Sequence, residues 1–592
     1  MATGKKTPAM PARDVAAQLK GALAMHQQGQ LDLAEAVYRE ILQKQPRQFD
    51  ALQLLATIAA QRHQSDEAVA LFDRALAIRP DHAASYNNRG IALRNLGRLD
   101  EALASYDKAI RLKPDYVDAL NNRGIALREL KRAEAALASY DQALAIRPVH
   151  AEVLFNRGEV LLELQRPEAA LHSFESALAV RPRYAEALNG CGKAQQDLGL
   201  LEEALSSFRR ALEIRADHAD TLNHCGTVLV DLGRIDEALQ CHERALQLAP
   251  SNARALANRG NALQAAGRMA EARQSYDQAL ALEPANAELH WNSSLCRLLE
   301  GDFIQGWAEY EWRWKVQPLA GQWRDPGAPL WLGADDPRGK TVLLHAEQGL
   351  GDTIQFCRYA APLAQQGAQV ILEVQPALKE LMRQLEGPQL VLARGESLPD
   401  FDMHCPLLSL PLAFGAGPSN IAGAPYLRSD PRKAADWSEK LGPRIGRRIG
   451  LAWSGGATHA NDRRRSIPLD AFKTLLVSGA DYVCLQNDLR PADQAVLASL
   501  PDIRYVGEAL RDFSDTAALI EGMDLVITVD TSVAHLAGAM GKPAWILLPF
   551  APDWRWLLGR EDSPWYGSAR LFRQPAPGDW ASVLEAVKAR LS

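Results

Sequence analysis

Residues 81–114 read DHAASYNNRGIALRNLGRLDEALASYDKAIRLKP, and residues 115–148 read DYVDALNNRGIALRELKRAEAALASYDQALAIRP. The second stretch repeats the first at a period of 34 residues, and the grid extends outward in both directions. Pro46, Pro80, Pro114, Pro148, Pro182, Pro250 and Pro284 share one column, vacant only at Ala216. Twelve residues earlier stand Ala34, Ala68, Ala102, Ala136, Ala170, Ala204, Ala238 and Ala272. Four residues after each alanine comes a ring: Tyr38, Phe72, Tyr106, Tyr140, Phe174, Phe208, His242 and Tyr276. A glycine column runs through Gly90, Gly124, Gly158, Gly192, Gly226 and Gly260.

Each column has a physical reading. Small residues let two helices approach closely, the ring is expected to fill the wedge between one hairpin and the next, and proline stops the second helix. The result is eight helical repeats from about Val15 to Pro284. A partial ninth follows, with helices expected near Ala287–Glu300 and Phe303–Trp314; its degraded columns (Ser294, Gly306, Tyr310) suit a capping unit. The pattern resembles the tetratricopeptide repeat, which implies a superhelix over 15–316 after a disordered 1–14.

In such an array the concave face is lined by the position two residues before the glycine column. Here that position holds Asn88, Asn122, Asn156, Asn258 and Asn292, with Gly190 and His224 interrupting. A row of side-chain amides can hydrogen-bond an extended peptide backbone whatever its sequence, or it can simply solvate a groove. The first reading is similar to the asparagine ladder of the O-GlcNAc transferases, and it implies a protein or peptide acceptor bound along the repeats.

Composition narrows the classes. The chain has 592 residues, 47% apolar and 23% charged, with a formal charge of −6. That argues for several soluble domains and against a protein built to neutralise nucleic-acid phosphates. No apolar run reaches the length of a membrane helix, and the start has no apolar leader segment. Seven scattered cysteines without a C-x-x-C pair fit neither a disulfide frame nor a zinc site, so buried thiols and a cytoplasmic location are expected.

Past a Trp-, Pro- and Gly-rich linker at 317–339 the pattern changes to short apolar runs separated by helical stretches: 341–346, 369–374, 390–393, 449–454, 482–487, 525–530 and 544–549. Such runs predict parallel strands covered on both faces. The polar, proline-punctuated segment 430–447 is read as a hinge between two Rossmann-like halves, 340–429 (abbreviated) and 448–592, giving an α/β GT-B-like fold after the α-solenoid. Chemistry is then sought in the loops beyond the strand ends.

Three loops qualify. Gly349 and Gly351 precede Asp352 directly after the first strand. Glycines permit a tight turn there, and Asp352 is either a reactive carboxylate or a helix cap. Asp530-Thr531-Ser532 ends a buried strand and turns into a helix carrying His535, so free backbone N–H groups could meet a diphosphate; the bland alternative is an ordinary capped turn with a core histidine. Ser454-Gly455-Gly456-Ala457-Thr458-His459 leads into Arg463–Arg465, of which Arg464 is chosen without a spacing argument. Gln486, at a strand end, is read as a base or ribose contact or as structural. Asp400-x-Asp402 has the spacing of a metal motif but lies in a short Pro-flanked stretch, so no metal is expected; His404 beside it faces a cleft or packs. Asp553-Trp554-Arg555-Trp556 is read as core packing with one cleft-facing group.

Strand, Gly-x-Gly-Asp and helix, together with D-T-S-x-x-H-L, resemble family 9 glycosyltransferases, the ADP-heptose:lipopolysaccharide heptosyltransferases. The resemblance implies that Asp352 is the general base, that Asp530 contacts sugar, Thr531 and Ser532 contact phosphate, His535 lines the pocket, and Ser454 with one of Arg463–Arg465 offers a hydroxyl and a cation to the diphosphate. It also implies a metal-independent, inverting glycosyltransferase with a nucleotide-diphosphate sugar as donor and no cofactor. The short first half makes a lipopolysaccharide acceptor a poor fit. The competing function is a non-catalytic tetratricopeptide scaffold carrying a degenerate GT-B module.

Overall fold

The computed structural model describes residues 12–591, apart from 318, 323, 325, 418–419, 422, 457–461 and 478. The chain divides into two compact units, Met1–Ala249 and Pro250–Ser592, so the division falls inside the repeat run.

The first unit is helical from Ala12–Gln27 to Ile235–Leu248, arranged as hairpins such as Ala83–Asn95 with Leu99–Leu112 and Val117–Glu129 with Ala133–Ile146. The glycine column is where the two helices of a hairpin meet. A Cβ added at Gly90 would lie 2.5 Å from the Tyr106 ring, at Gly124 2.4 Å from Tyr140, and at Gly158 2.5 Å from Phe174. The ring therefore fills its own hairpin, against the glycine sixteen residues earlier, rather than only the wedge to the next repeat. The same residue does both at Phe174, whose ring also stands 2.6 Å from a Cβ at Gly190. These rings are fully buried, and such close-packed seams supply most of a hairpin's stability.

Polar bonds stitch neighbouring helices along one face. Arg89 donates to Asp73 (2.6 Å) and Ser105 (2.7 Å), and Arg123 repeats the pattern on Asp107 and Ser139, both at 2.7 Å. The asparagine column lies beside these arginines. Asn122 Nδ2 donates to Asn87 Oδ1 and Asn156 Nδ2 to Asn121 Oδ1, each at 3.0 Å. Asn88, Asn122 and Asn156 are half-buried, so each of the two donors keeps one N–H beyond its inter-repeat bond. All seven cysteines are free thiols, and all but Cys241 are buried.

The second unit opens with helices Ala253–Ala265, Met269–Leu282, Ala287–Glu300 and Phe303–Tyr310. Asn258 and Asn292 sit half-buried on the first and third of these. The last helix ends earlier than expected and passes into a 3-10 turn at Glu311–Lys315. Two all-parallel sheets follow. The smaller, ordered β3-β2-β1-β4, uses β1 (Thr341–His345), β2 (Gln369–Val374), β3 (Pro388–Ala393) and β4 (Met403–Pro406). The larger, ordered β10-β9-β8-β5-β6-β7, uses β5 (Arg447–Ala452), β6 (Ala480–Cys484), β7 (Ile503–Tyr505), β8 (Leu525–Val529), β9 (Ala544–Leu548) and β10 (Ala569–Arg573).

In the larger sheet the chain runs outward from β5 through β6 to β7, then returns to β8 and runs the other way to β10. The crevice at such a reversal is where open α/β sheets take ligands. It is formed by the loops after β5 and β8. In the smaller sheet the corresponding reversal lies between β1 and β4, beside the loop holding Asp352.

Both joining segments carry packed residues. The hinge at 430–447 contains an amphipathic helix, Pro431–Leu441, capped by Asp430, which accepts from Arg432 N at 2.8 Å; Trp437 is buried on its inner face. The linker is packed: Leu330 bridges His404 beside β4, and Trp331 is buried with its indole donating to Asp335 O at 2.9 Å.

Candidate functional site

The loop after β1 and the loop after β8 meet. A Cβ added at Gly351 would stand 2.8 Å from His535 Cδ2 and 3.6 Å from Ser532 Cα. Glycine is thus required where the start of the Leu350–Phe356 helix crosses the start of the Ser532–Ala539 helix. The two motifs, far apart in sequence, are thereby brought into direct contact at the ends of β1 and β8.

Asp352 is held at both oxygens. Its Oδ2 accepts from Gly349 N at 2.8 Å, closing a cap, and its Oδ1 accepts from Arg555 Nη2. Asp352 therefore caps the helix with one oxygen and pairs with Arg555 through the other. Arg555 comes from the short turn Trp554–Trp556 after β9. It also donates from Nε to Gln355 Oε1 and from Nη1 to Asp553 Oδ1, both at 2.8 Å. Burial pulls this guanidinium down, but Asp553 and Asp352 outweigh it, and it stays above its ordinary value.

Across the cleft, Asp530 is buried. Desolvation and the neighbouring Asp553 raise its carboxyl from 3.8 to about 6, against the pull of Arg465, Trp556 and Arg555. His535 stacks on Trp556 with 5.4 Å between ring centroids, bonds Tyr566 Oη through Nδ1 at 2.9 Å, and has Nε2 3.9 Å from Asp530 Oδ1. Burial first, then Arg555, Arg358 and Arg465, push it well below the usual imidazole range, so it is neutral at pH 7. Thr531 is the extended residue before the helix, and its hydroxyl lies 3.3 Å from that of Thr528. Ser532 follows as the first helical residue, half-buried, where the first-turn amides have no intrahelical acceptor.

Of the basic run, Arg464 is exposed, and Arg465 is the one that reaches the cleft: its Nη1 donates to Asp530 O at 3.0 Å, and its guanidinium covers Gly455. Arg465, not Arg464, is thus the arginine of the run that meets the Asp530 turn. Residues 457–461, including His459, lie outside the described residues, as does the Arg463 side chain. Ser454 Oγ accepts from Gln486 Nε2 at 2.9 Å, and Gln486 Oε1 accepts from Trp453 N (2.7 Å) and Ser454 N (3.1 Å). Gln486 is therefore a clamp that fixes the loop after β5, its amide also meeting Asp488 O at 3.4 Å. Asp402 accepts from Thr341 N at 2.8 Å and so pins the start of β1. His404 packs, buried, 3.1 Å from His345. No group of three or more His, Cys, Asp or Glu suited to a metal ion occurs among the described residues.

The partial ninth repeat is built into this unit. Trp307 Nε1 donates to Ala416 O at 3.1 Å, and the fully buried Arg313 pairs with Glu347, at the mouth of the β1 loop, at 3.0 Å. Trp307 and Tyr310 pack on Trp554, with centroids 5.1 and 6.1 Å apart.

Tetratricopeptide repeat families match residues 25–88, 90–131, 115–183, 149–217, 183–251 and 217–284. The repeats are tetratricopeptide repeats. Glycosyltransferase family 9 (heptosyltransferase) matches residues 510–547, the stretch that carries β8, Asp530–Ser532 and His535. The second unit thus carries a glycosyltransferase-like module. Protein FlbA of Caulobacter vibrioides is 29% identical over 318 residues, 48% of this chain and 52% of FlbA, so the chain spans about half the length of that relative. Among solved structures, YrrB, described as a TPR protein with an unusual peptide-binding site, is 26% identical over 31% of this chain and 95% of its own, with a TM-score of 0.28. The APC/C hetero-tetramer Cut9–Hcn1 is 15% identical over 49% and 57%, with a TM-score of 0.37. No helix among the described residues is long and apolar enough to cross a membrane.

Sequence reading left Arg465 unranked among Arg463–Arg465 and did not say which group of Asp553–Trp556 faces the motifs; the structure puts Arg465 on Asp530 O and Arg555 on Asp352. A D-W-R-W stretch carries no spacing that assigns it a partner, and three consecutive arginines carry none that ranks them.

Proposed function

We propose that the chain is a glycosyltransferase that moves a sugar from a nucleotide-diphosphate donor to a hydroxyl on a protein or peptide bound along the repeats. The observation that supports this best is the apposition of Gly351 and His535, which gathers Asp352, Asp530, Ser532 and Arg465 around one cleft. In this reading the donor diphosphate lies at the N-terminus of the Ser532–Ala539 helix, within reach of Thr531, Ser532, Arg465 and the Ser454 loop. Asp530 meets the sugar and neutral His535 lines its pocket. Gly349 and Gly351 keep the backbone clear of it.

Asp352 accepts the proton of the acceptor hydroxyl as its oxygen bonds to the anomeric carbon, and the carbon–oxygen bond to the diphosphate breaks. The developing negative charge on the leaving group is met by the helix N-terminus and Arg465, so no metal or cofactor takes part. The family 9 resemblance implies inversion at that carbon. Asn88, Asn122, Asn156, Asn258 and Asn292 offer amide groups to the acceptor's backbone.

The test is a panel of UDP-, GDP-, ADP- and CMP-sugars read by thermal unfolding and by labelled transfer into cell lysate. One donor raises the unfolding temperature of the wild type, and Asp530→Ala abolishes the rise. If no nucleotide or nucleotide sugar shifts the transition and no label is transferred, the scaffold reading takes over.

A further inference from the structure

We infer that Arg555 is the positioning residue for Asp352: it fixes the carboxylate from the opposite side of the cleft and ties its aim to the partial ninth repeat. This rests on the transferase reading above. The guanidinium uses each of its nitrogens on a different partner: Nε on Gln355 Oε1, Nη1 on Asp553 Oδ1 and Nη2 on Asp352 Oδ1. Two of the three partners stand on the helix after β1, while Arg555 itself follows β9. With Gly349 N on the other oxygen, the Asp352 carboxylate is held in two directions and cannot rotate.

Charge supports the same role. Arg555 is shared between Asp352 and Asp553, and Asp530 lies close to both arginines of the cleft. One cation between two carboxylates orients Asp352 without cancelling its negative charge, so the second lone pair of Oδ1 stays available to a hydroxyl proton. A planar, forked donor is needed to reach three acceptors at once, which an ammonium group does not supply in the same geometry.

The seat of Arg555 explains the reach toward the repeats. Its guanidinium lies 4.1 Å from the Trp554 ring, and Trp554 packs edge-on against Trp307. Trp307 and Tyr310 belong to the Phe303–Tyr310 helix, the second helix of the partial repeat. The last piece of the repeat array therefore forms the floor on which the positioning residue rests.

The full chain is assayed by nucleotide release with whichever UDP-, GDP-, ADP- or CMP-sugar the wild type turns over. Arg555→Gln is expected to lower kcat about 10²-fold, the scale of a misplaced catalytic group, with the donor KM within about threefold. Arg555→Lys recovers part of kcat. In an Asp352→Asn background, Arg555→Gln adds little, because the group it positions is already gone. Trp307→Ala lowers kcat in the same direction by a smaller factor. Circular dichroism and thermal unfolding check each variant, and Arg555→Lys decides the matter should Arg555→Gln fail to fold. Wild-type release with unchanged kcat in the Arg555 variants, a loss confined to donor KM, or full multiplicativity with Asp352→Asn overturns the inference alone. No release from any donor by the wild type overturns the transferase reading and this inference with it.

Discussion

Replacing Gly351 by alanine tests the convergence of the two motifs directly. The new methyl would stand 2.8 Å from His535 Cδ2, whereas carbon atoms in ordinary contact are about 3.5–4.0 Å apart. A displacement of roughly 1 Å is therefore required. His535 is poorly placed to yield, since its ring is stacked on Trp556 and bonded to Tyr566 at 2.9 Å. The backbone at the start of the Leu350–Phe356 helix must move instead, and Asp352 moves with it. Overpacking of this kind costs about 1–3 kcal/mol, and alanine in a helix recovers about 1 kcal/mol relative to glycine. The net loss of stability is thus only about 1 kcal/mol, taking the middle of that range. Activity responds more steeply, because a 1 Å misplacement of a reacting group costs about 10²-fold. Thermal unfolding and nucleotide release measured on the same preparation separate the two effects. Gly21→Ala serves as the control, since a methyl there meets nothing within 4 Å and is expected to be neutral or slightly stabilising. Turnover by Gly351→Ala within about threefold of wild type would show that the cleft does not depend on this close approach.

Three further outcomes are expected. The Asp530 carboxyl, at about 6 when folded against 3.8 unfolded, binds its proton more tightly in the native state, so the stability it confers is complete below 3.8 and is lost as pH rises through 6. Asp530→Asn should therefore unfold later than wild type at pH 7–8, by up to ~3 kcal/mol from about two pH units at 1.4 kcal/mol each, with the gain vanishing near pH 4 and donor binding lost; an equal gain at both pH values refutes the assignment. Lys131 occupies the left-handed turn position with φ 60°, where Gly97, Gly199 and Gly233 stand in other repeats, so Lys131→Gly should stabilise the first unit by about 0.5–1 kcal/mol in urea unfolding. Asn122→Ala combined with Asn156→Ala should raise the acceptor KM several-fold and leave donor hydrolysis unchanged; a fall in hydrolysis instead would mean that the column serves the fold.

The repeats were legible because every one of their constraints recurs at 34 residues, and steric demand at one glycine is demand at all of them. What the columns did not reveal is which ring meets which glycine; that follows from hairpin geometry, where the partner lies sixteen residues on. Among the described residues, seven of the ten strands follow from apolar runs. The three that escaped are short or mixed: β4 ends in proline, β7 has three residues, and β10 carries two arginines in five residues at a sheet edge. The segment 430–447 reads as a hinge if Pro431 is taken as a breaker. Asp430 as cap with proline in the first turn is equally a start signal, and the buried Trp437 decides in its favour. Gln486 illustrates the converse: a strand-end amide invites a ligand, but two backbone N–H groups of the adjacent strand end claim it first.

The site itself shows why sequence motifs stop short of a mechanism. Asp352 and the Asp530–His535 turn could be found separately because each is a local strand–turn–helix pattern with its own spacing. Their relation depends on Arg555, whose partners lie 203 and 200 residues away at Asp352 and Gln355. No local pattern encodes a bond of that span. It arises because the turn after β9 reaches the helix after β1, and because Trp554 in that turn is held by a helix of the repeat array. On the transferase reading, a helix that would otherwise be only a cap is thereby tied to the chemistry. On this reading, cutting the chain after Lys315 strips Trp307 and Tyr310 from Trp554, the ring on which Arg555 rests, and the remaining α/β part should lose turnover on small acceptors that never touch the repeats. Full activity of residues 316–592 on such an acceptor would show that the array and the site are joined only by tether.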